Sequence, residues 1–209
     1  PVGMTSTYTK DNPNADSDTD LYASGAEWIS PKTQLADGDG RKVVLNDTDH
    51  SFGWEQLQSA GALGQRQWAW ETFCRGAAPV FMDPYLEAWT GRNSPSGTTP
   101  DPQWNGLRDA LGYTALFASK IDLEQAVPST SLCSTTYCLV QPGHQYLVYQ
   151  PDPGGFQLQV TAGSYHVEWF DPVTGQLTDG DRVTLPTGSQ SFTPPASFTA
   201  DAVLLLRAP

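Results

Sequence analysis

Acidic side chains follow an apolar run in the stretch RKVVLNDTDHSFG, residues 41–53. Asp47, Asp49 and His50 come after three apolar residues, with no glycine or proline between them. Carboxylates and imidazoles donate and accept protons, so a strand that ends in these residues could deliver acid–base groups to a site. The same pattern also fits a strand followed by a polar loop, in which Asp49 or Ser51 caps the next helix.

The elements around these acids follow a strand–helix–strand order. Residues 42–47 (KVVLND) predict a buried strand, and residues 65–78 (QRQWAWETFCRGAA) predict a helix. Residues 78–85 (APVFMDPY) predict a second strand that ends in Asp83. Short links in this order indicate parallel strands. The helix carries one apolar stripe at helical spacing, formed by Trp70, Phe73, Cys74 and Ala77.

The hydrophobic pattern changes near residue 122. Before it, residues 101–121 predict a helix, with Asp101 as N-cap and Pro102 at the first helical position. After it, about seven short alternating runs separated by Gly, Pro and Asp predict an antiparallel β-sandwich. We therefore predict two domains, residues 1–124 and 125–209.

Composition excludes several classes of function. The net charge of −12, from 11 basic and 23 acidic residues, disfavours a nucleic-acid partner. No apolar run is long enough to span a bilayer, so we expect no membrane partner. Phosphate-loop, dinucleotide and zinc motifs are absent from the sequence, and we predict no cofactor and no metal site. Asp16, Asp18 and Asp20 have calcium-loop spacing, but Leu21 stands where that loop needs Gly, which favours a solvated loop.

The three cysteines leave two alternatives open. Cys133 and Cys138 lie in CSTTYC, where they are either joined by a local disulfide or free, while Cys74 is predicted to be a buried thiol. A low Lys content with many Asp, Thr and Gly residues is typical of exported proteins. We therefore expect a secreted or cell-envelope location. The start at Pro1 suggests that the chain begins inside a longer product.

Five segments together resemble one bacterial family. They are PVGMTSTY, ASGAEWISP, RKVVLNDTDH, RQWAWETFCRGAAPVFMDPY and STTYCLVQPGHQYLVYQP, in this order along nearly the whole chain. They are similar to the C-terminal half of an apiosidase-like (β/α)8 glycoside-hydrolase-like protein, followed by its collagen-binding-type β-sandwich domain. The resemblance implies strands five to eight of a TIM-type barrel, and then a small antiparallel sandwich.

This resemblance also assigns strands. PVGMT resembles strand five, LYASGAEW the region of strand six, KVVLND strand seven and APVFMD strand eight. The family's acid/base carboxylate comes from an Asn-Glu pair on strand four, which is missing from this chain. The family's nucleophile position, at the end of strand seven, falls on Asp47 or Asp49, where relatives usually carry Glu. This departure leaves retention or inversion at the anomeric carbon open.

In such a barrel, the acidic residues at the end of KVVLND and directly after it could act in glycoside hydrolysis. Barrel active sites lie at the carboxyl ends of the strands, and glycoside hydrolysis needs two carboxylates around the scissile bond. We predict Asp47 as the second carboxylate and Asp49 as the alternative. Substrate contacts are predicted for His50, Trp54, Asp83 and Tyr85, the two aromatic rings stacking on sugars. Asp83 in DPY is equally a turn opener.

The sequence thus favours a hydrolase of O-glycosidic bonds in a carbohydrate substrate. The chain alone is expected to be inactive, because the proton donor is missing. Four parallel strands leave open edges, so we expect a partner, either the missing N-terminal half-barrel or a second copy of the chain. Two alternatives remain: a non-catalytic carbohydrate- or matrix-protein-binding module, and a purely structural domain.

Overall fold

The computed structural model describes residues 5–6, 44–47, 51–81, 83 and 102–209, with side chains from Ala60 onward within those ranges. The chain divides into two compact units. The first comprises Pro1–Phe73 with Ala77–Gly112, and the second Cys74–Gly76 with Tyr113–Pro209. In the described part of the chain, no helix combines the length and the apolar character that crossing a bilayer would need.

A three-stranded parallel sheet forms part of the first unit. Its strands, in spatial order, are β1 (Thr5–Ser6), β2 (Val44–Asp47) and β3 (Ala78–Val80). β1 pairs with β2 and β2 with β3, both in parallel. The strand–helix–strand segment is therefore parallel, as its sequence predicts, and the carboxyl ends of β2 and β3 lie on the same edge of the sheet.

Helix α1, Ser51–Cys74, connects β2 to β3. It begins earlier than the predicted helix, and Gly61, with φ 65° and ψ −170°, divides it into two helical segments. It also ends earlier, because Gly76 adopts a φ of 81° that only glycine reaches without strain. Ala77 therefore lies outside the helix, where its N–H donates to the Thr72 carbonyl at 3.1 Å.

The end of α1 is buried on several sides. Trp68 and Trp70 are buried. The four residues of the predicted apolar stripe are buried, although Ala77 lies beyond the helix end, and polar Arg66 and Glu71 are buried on the same helix. A helix that is buried on several sides needs internal partners for such polar groups.

A 3-10 turn, Pro102–Trp104, leads into helix α2, Asn105–Ala118. The predicted helix over residues 101–121 is therefore divided between two helical types and ends earlier, and its predicted N-cap, Asp101, lies outside the described residues. Trp104 and Leu107 pack with Trp68 in one apolar cluster of the first unit. Leu107, Ala110, Phe117 and Ile121 of this segment are buried, although Ile121 follows the helix end.

The second unit consists mostly of antiparallel sheet. Its strands are β4 (Val127–Pro128), β5 (Cys138–Gln141), β6 (Gln145–Gln150), β7 (Phe156–Val160), β8 (Gly163–Asp171), β9 (Gln176–Leu185), β10 (Gly188–Phe192) and β11 (Ala202–Arg207). A six-stranded sheet has the order β4-β5-β6-β11-β8-β9, and β7 pairs with β10 in a separate two-stranded sheet. All these pairs are antiparallel, as predicted. Side chains from both sheets, including Tyr146, Leu158 and Leu204, form a common core.

The sequence left the state of Cys133 and Cys138 open, and the structure contains the disulfide between them. The bond closes a loop that also pairs with β7, because the Ser134 N–H donates to the Gln157 carbonyl at 2.9 Å. Cys74 is free and buried, as predicted. The disulfide thus holds in place a segment that borders the two-stranded sheet.

Two buried tyrosines connect the turns at one end of the second unit. The Tyr146 hydroxyl accepts hydrogen bonds from the N–H groups of Gly143 at 2.8 Å and Thr161 at 2.9 Å. Tyr165 donates its hydroxyl proton to the Thr161 carbonyl at 2.7 Å. Burial raises the pKa of Tyr165 to about 12. Burial acts in the same direction on Tyr146, but the hydrogen bonds from Thr161 and Gly143 outweigh it and lower the pKa of Tyr146 below its usual value.

Candidate functional site

The carboxyl edge of the parallel sheet is the candidate site of the first unit. Asp47 is the last residue of β2, and its register partner is Val80, the last residue of β3. In sheets of parallel strands, ligands bind at this edge. The backbone of Asp47 therefore lies at the level where catalytic groups of such folds are found. Its side chain is outside the described part of the structure.

The other predicted site residues are described to different extents. Asp49, His50 and Tyr85 lie outside the described residues. Trp54 belongs to α1, but its side chain is also outside them. Asp83 is the one predicted residue whose side-chain contacts are described. The grouping of these residues around a substrate therefore stays a prediction.

Asp83 follows β3 and is held by Arg108 of α2. The guanidinium donates from Nε to Oδ2 at 2.6 Å and from Nη2 to Oδ1 at 2.9 Å. Its Nη1 donates to Oδ1 of Asn105 at 2.9 Å. Both side chains of the ion pair are about a quarter exposed. This bidentate geometry is the strongest form of an Arg–carboxylate pair, and it fixes the segment after β3 to the first turns of α2.

An aromatic contact fixes the same segment. The Phe81 ring lies 5.1 Å from the Trp104 ring, measured between centroids. Together with the ion pair, it positions residues that follow the carboxyl end of β3. Asp83 thus anchors this edge of the sheet. Its predicted contact with a substrate remains a prediction. The sequence did not identify Arg108, which is 25 residues away along the chain and carries no motif.

We expect Arg108→Ala to lower the free energy of unfolding by about 1 kcal/mol, because it leaves a partly exposed carboxylate without its two guanidinium donors. Arg108→Lys should recover less than half of the loss, since a lysine cannot donate in the bidentate geometry. Chemical denaturation followed by tryptophan fluorescence measures both. A loss in the Asp83→Asn/Arg108→Ala double variant equal to the sum of the single losses would contradict a direct coupling.

A second group of charged side chains lies on the six-stranded sheet of the second unit. We call Lys120, His166, Glu168, Asp179 and Arg207 the Glu168 cluster. Lys120 Nζ lies 2.6 Å from Glu168 Oε1, and Arg207 Nη2 lies 3.6 Å from Glu168 Oε2. His166 Nε2 lies 2.6 Å from Asp179 Oδ1. Glu168, whose side chain is only 5% exposed, is therefore neutralised by two cations.

Metal binding is one chemistry to consider for this cluster. His166, Glu168 and Asp179 offer ligand atoms that all lie within 4.8 Å of one another. A metal ion among them would lie next to the ammonium of Lys120 and the guanidinium of Arg207, and both would repel it. The arrangement therefore fits an ion-pair network better than a metal site. His166 and Glu168 are two residues apart in β8, and both belong to this cluster.

The comparisons with known proteins concern both units. A sequence model of the family described as "Putative collagen-binding domain of a collagenase" matches residues 126–207. A search among curated protein sequences found no match. The family match covers most of the second unit and leaves the parallel sheet outside it.

Two solved structures are similar to the chain in fold. One is a glycoside hydrolase, with a TM-score of 0.55 and 13% identity, covering 99% of this chain and 52% of that protein. The other is a family 5 glycoside hydrolase from Bacteroides vulgatus ATCC 8482, with a TM-score of 0.57 and 13% identity, covering 99% of this chain and 51% of that protein. The chain thus spans about half the length of these structures. At this identity the likeness concerns the fold alone.

Proposed function

We propose that this chain is the C-terminal portion of a bacterial glycoside-hydrolase-like protein of the apiosidase-like type. In this proposal the first unit supplies strands five to eight of a (β/α)8 barrel, and the second is a β-sandwich. The observation that carries it is the parallel sheet β1–β2–β3 with Asp47 at its carboxyl edge. The fold likeness to glycoside hydrolases supports the same assignment.

The proposed reaction is hydrolysis of an O-glycosidic bond by two carboxylates. Asp47, or in its place Asp49, attacks the anomeric carbon or activates a water molecule, and a carboxylic acid outside this chain protonates the leaving oxygen. His50 and Asp83 bind sugar hydroxyls, while Trp54 and Tyr85 stack on sugar rings. No metal ion or cofactor takes part in the proposed reaction.

The proposal requires a partner for the first unit. A closed barrel has no free strand edges, whereas β1 and β3 are the outer strands of the described parallel sheet. We propose that the missing half-barrel, or a second copy of the chain, covers these edges and supplies the second carboxylate. The coverage of about half of the similar structures supports the first arrangement.

Hydrolysis by the full-length protein that contains this chain tests the proposal. With a panel of plant polysaccharides and aryl glycosides, release of reducing sugar is expected from the full-length protein, with none above background from residues 1–209 alone. Asp47→Asn should abolish the release while circular dichroism stays unchanged. Asp49→Asn is the matched control. Loss of release in Asp49→Asn alone would transfer the role to Asp49, and full activity in both variants would contradict the proposed mechanism.

A second candidate is a non-catalytic module that binds a matrix protein or carbohydrate, and the family match of residues 126–207 favours collagen as its ligand. A secreted or cell-envelope location suits both candidates, and the Cys133–Cys138 disulfide supports it. Co-sedimentation of the chain with fibrillar collagen, compared with insoluble polysaccharides, separates the two ligands. Binding to neither would leave the second unit with a structural role.

A further inference from the structure

The outer face of the two-stranded sheet carries neutral polar side chains. Gln157 and Gln159 of β7 are exposed and alternate with three buried apolar residues. Their register partners in β10, Ser191 and Ser189, are exposed as well. Directly opposed residues of antiparallel strands project from the same face of the sheet. Together with exposed Ser134 of the adjoining disulfide loop, we call these four side chains the neutral face.

The segments that contribute to the neutral face contain no charged residue. Residues 125–143, 153–165 and 183–200 include no Asp, Glu, Lys or Arg, whereas these types make up 16% of the whole chain. The nearest charged residues along the chain, Asp152 and Arg182, precede β7 and β10 by four and six residues. Depletion of charge is a compositional mark of contact surfaces, because a charge covered by a ligand loses its hydration. An exposed sheet face without charge therefore indicates a contact surface for a neutral ligand.

Hydrogen bonds within the neutral face fix the orientation of Gln157. Its Nε2 donates to Ser191 Oγ at 2.6 Å, and its Oε1 accepts from the Ser189 hydroxyl at 3.0 Å. Its backbone N–H donates to Ser134 Oγ at 3.0 Å. A primary amide has two N–H donors and two acceptor lone pairs, so Gln157 keeps one donor and one acceptor for a ligand. Because the amide is already oriented, binding costs little further side-chain entropy.

Gln159 presents a second amide on the same face. It lies two residues beyond Gln157 in β7, which places the two amides about 7 Å apart along the strand. Its side chain is exposed to solvent and has no hydrogen-bond partner among the residues that the structure describes. The Ser191 hydroxyl accepts from Gln157 and keeps its own proton to donate. The neutral face thus combines donors and acceptors at spaced positions, a combination that suits ligand groups that both donate and accept.

We propose that the neutral face binds a neutral polysaccharide through the hydroxyl groups of its sugars. Each sugar hydroxyl donates one hydrogen bond and accepts others, as the amides and hydroxyls of the face do. An acidic polymer finds no cation on this face, and the net charge of −12 repels it. The carbohydrate class rests on the proposed function, which the neutral face deepens by naming the ligand of the second unit. The face itself takes no part in bond cleavage.

Affinity electrophoresis of the chain in native gels that contain hydroxyethylcellulose, arabinoxylan or galactomannan tests the proposal without requiring turnover. At least one of these neutral polymers should retard the chain. Gln159→Ala is expected to weaken the retarding interaction about two- to tenfold, the range for loss of a neutral hydrogen bond. Gln157→Ala/Gln159→Ala should abolish the retardation while circular dichroism stays unchanged. Gln176→Ala removes an exposed amide from β9, in the other sheet, and is the matched control that should stay within about twofold.

Several results would overturn the proposal. They are the absence of retardation by all three neutral polymers, an equal loss of affinity in Gln159→Ala and Gln176→Ala, and equal retardation by acidic polygalacturonate. Co-sedimentation with fibrillar collagen that is lost in Gln157→Ala/Gln159→Ala would assign the neutral face to a protein ligand and overturn the polysaccharide class. None of these results depends on hydrolysis, so failure of the proposed enzyme activity would be recognised separately.

Discussion

Tyr146→Phe is expected to lower the free energy of unfolding of the second unit by about 3 kcal/mol, because it removes the acceptor of two backbone N–H groups. Those groups belong to Gly143 and Thr161, whose hydrogen bonds to the Tyr146 hydroxyl measure 2.8 and 2.9 Å. The ring of phenylalanine fills the same space and leaves the apolar contacts unchanged. The loss therefore reports the polar contacts alone, and urea denaturation followed by tryptophan fluorescence measures it.

Tyr165→Phe is the matched control for this prediction. Tyr165 is equally buried and packs against Tyr146 with ring centroids 5.7 Å apart. Its hydroxyl donates to the Thr161 carbonyl at 2.7 Å, so its removal frees an acceptor and leaves both N–H groups paired. We expect a smaller loss of about 1 kcal/mol. Equal losses in the two variants would contradict the role assigned to Tyr146 as an acceptor of two bonds.

The tyrosine pair illustrates what sequence could predict about the fold. Alternating apolar residues gave the strands of the second unit, because their spacing reflects burial of one strand face. The same alternation says nothing about hydroxyl partners, since Gly143 and Thr161 lie in separate turns that meet through the fold. In the first unit, the strand–helix–strand order of residues 42–85, with short links, predicted parallel strands. A helix start near Ser51 was one of two alternatives for the residues after β2, and the helix itself was predicted only from residue 65, because Gly53, Gly61 and Gly64 weaken the local helical preference.

In the candidate site, too, local sequence patterns predicted the elements but not the contacts between distant residues. Position along the chain placed Asp47 at the end of a parallel strand, and the structure agrees with that placement. Partners that come from distant positions were not predicted. Arg108 is 25 residues from Asp83, and Lys120 is 48 residues from Glu168. Glu168 occupies a strand otherwise rich in apolar residues, and a buried carboxylate in such a strand requires a cation. The sequence could therefore have predicted that Glu168 pairs with a cation, although it could not predict which residue supplies it.

The contact between Lys120 and Glu168 leads to the other prediction of large effect. Lys120→Met keeps most of the aliphatic stem but leaves Glu168, with its side chain 5% exposed, to Arg207 alone at 3.6 Å. We expect the free energy of unfolding to fall by about 2–4 kcal/mol, because a buried carboxylate that loses a partner keeps the cost of its desolvation. Part of the loss, about 0.5 kcal/mol, comes from the ammonium over the Phe117 ring, 5.6 Å away. Chemical denaturation of the chain measures the total.

Two further variants test whether the loss of stability in Lys120→Met comes from its contact with Glu168. The double variant Lys120→Met/Glu168→Gln removes both charges, so it should be more stable than Lys120→Met. Together with the single variant Glu168→Gln, it completes a cycle that gives the coupling free energy of the pair. Asp179→Asn is the control in the same cluster. Its side chain is 73% exposed, and loss of its contact with His166 should cost less than about 0.5 kcal/mol. A Lys120→Met loss no larger than that of Asp179→Asn would mean that Glu168 is stabilised without Lys120, and the buried carboxylate would then depend on Arg207.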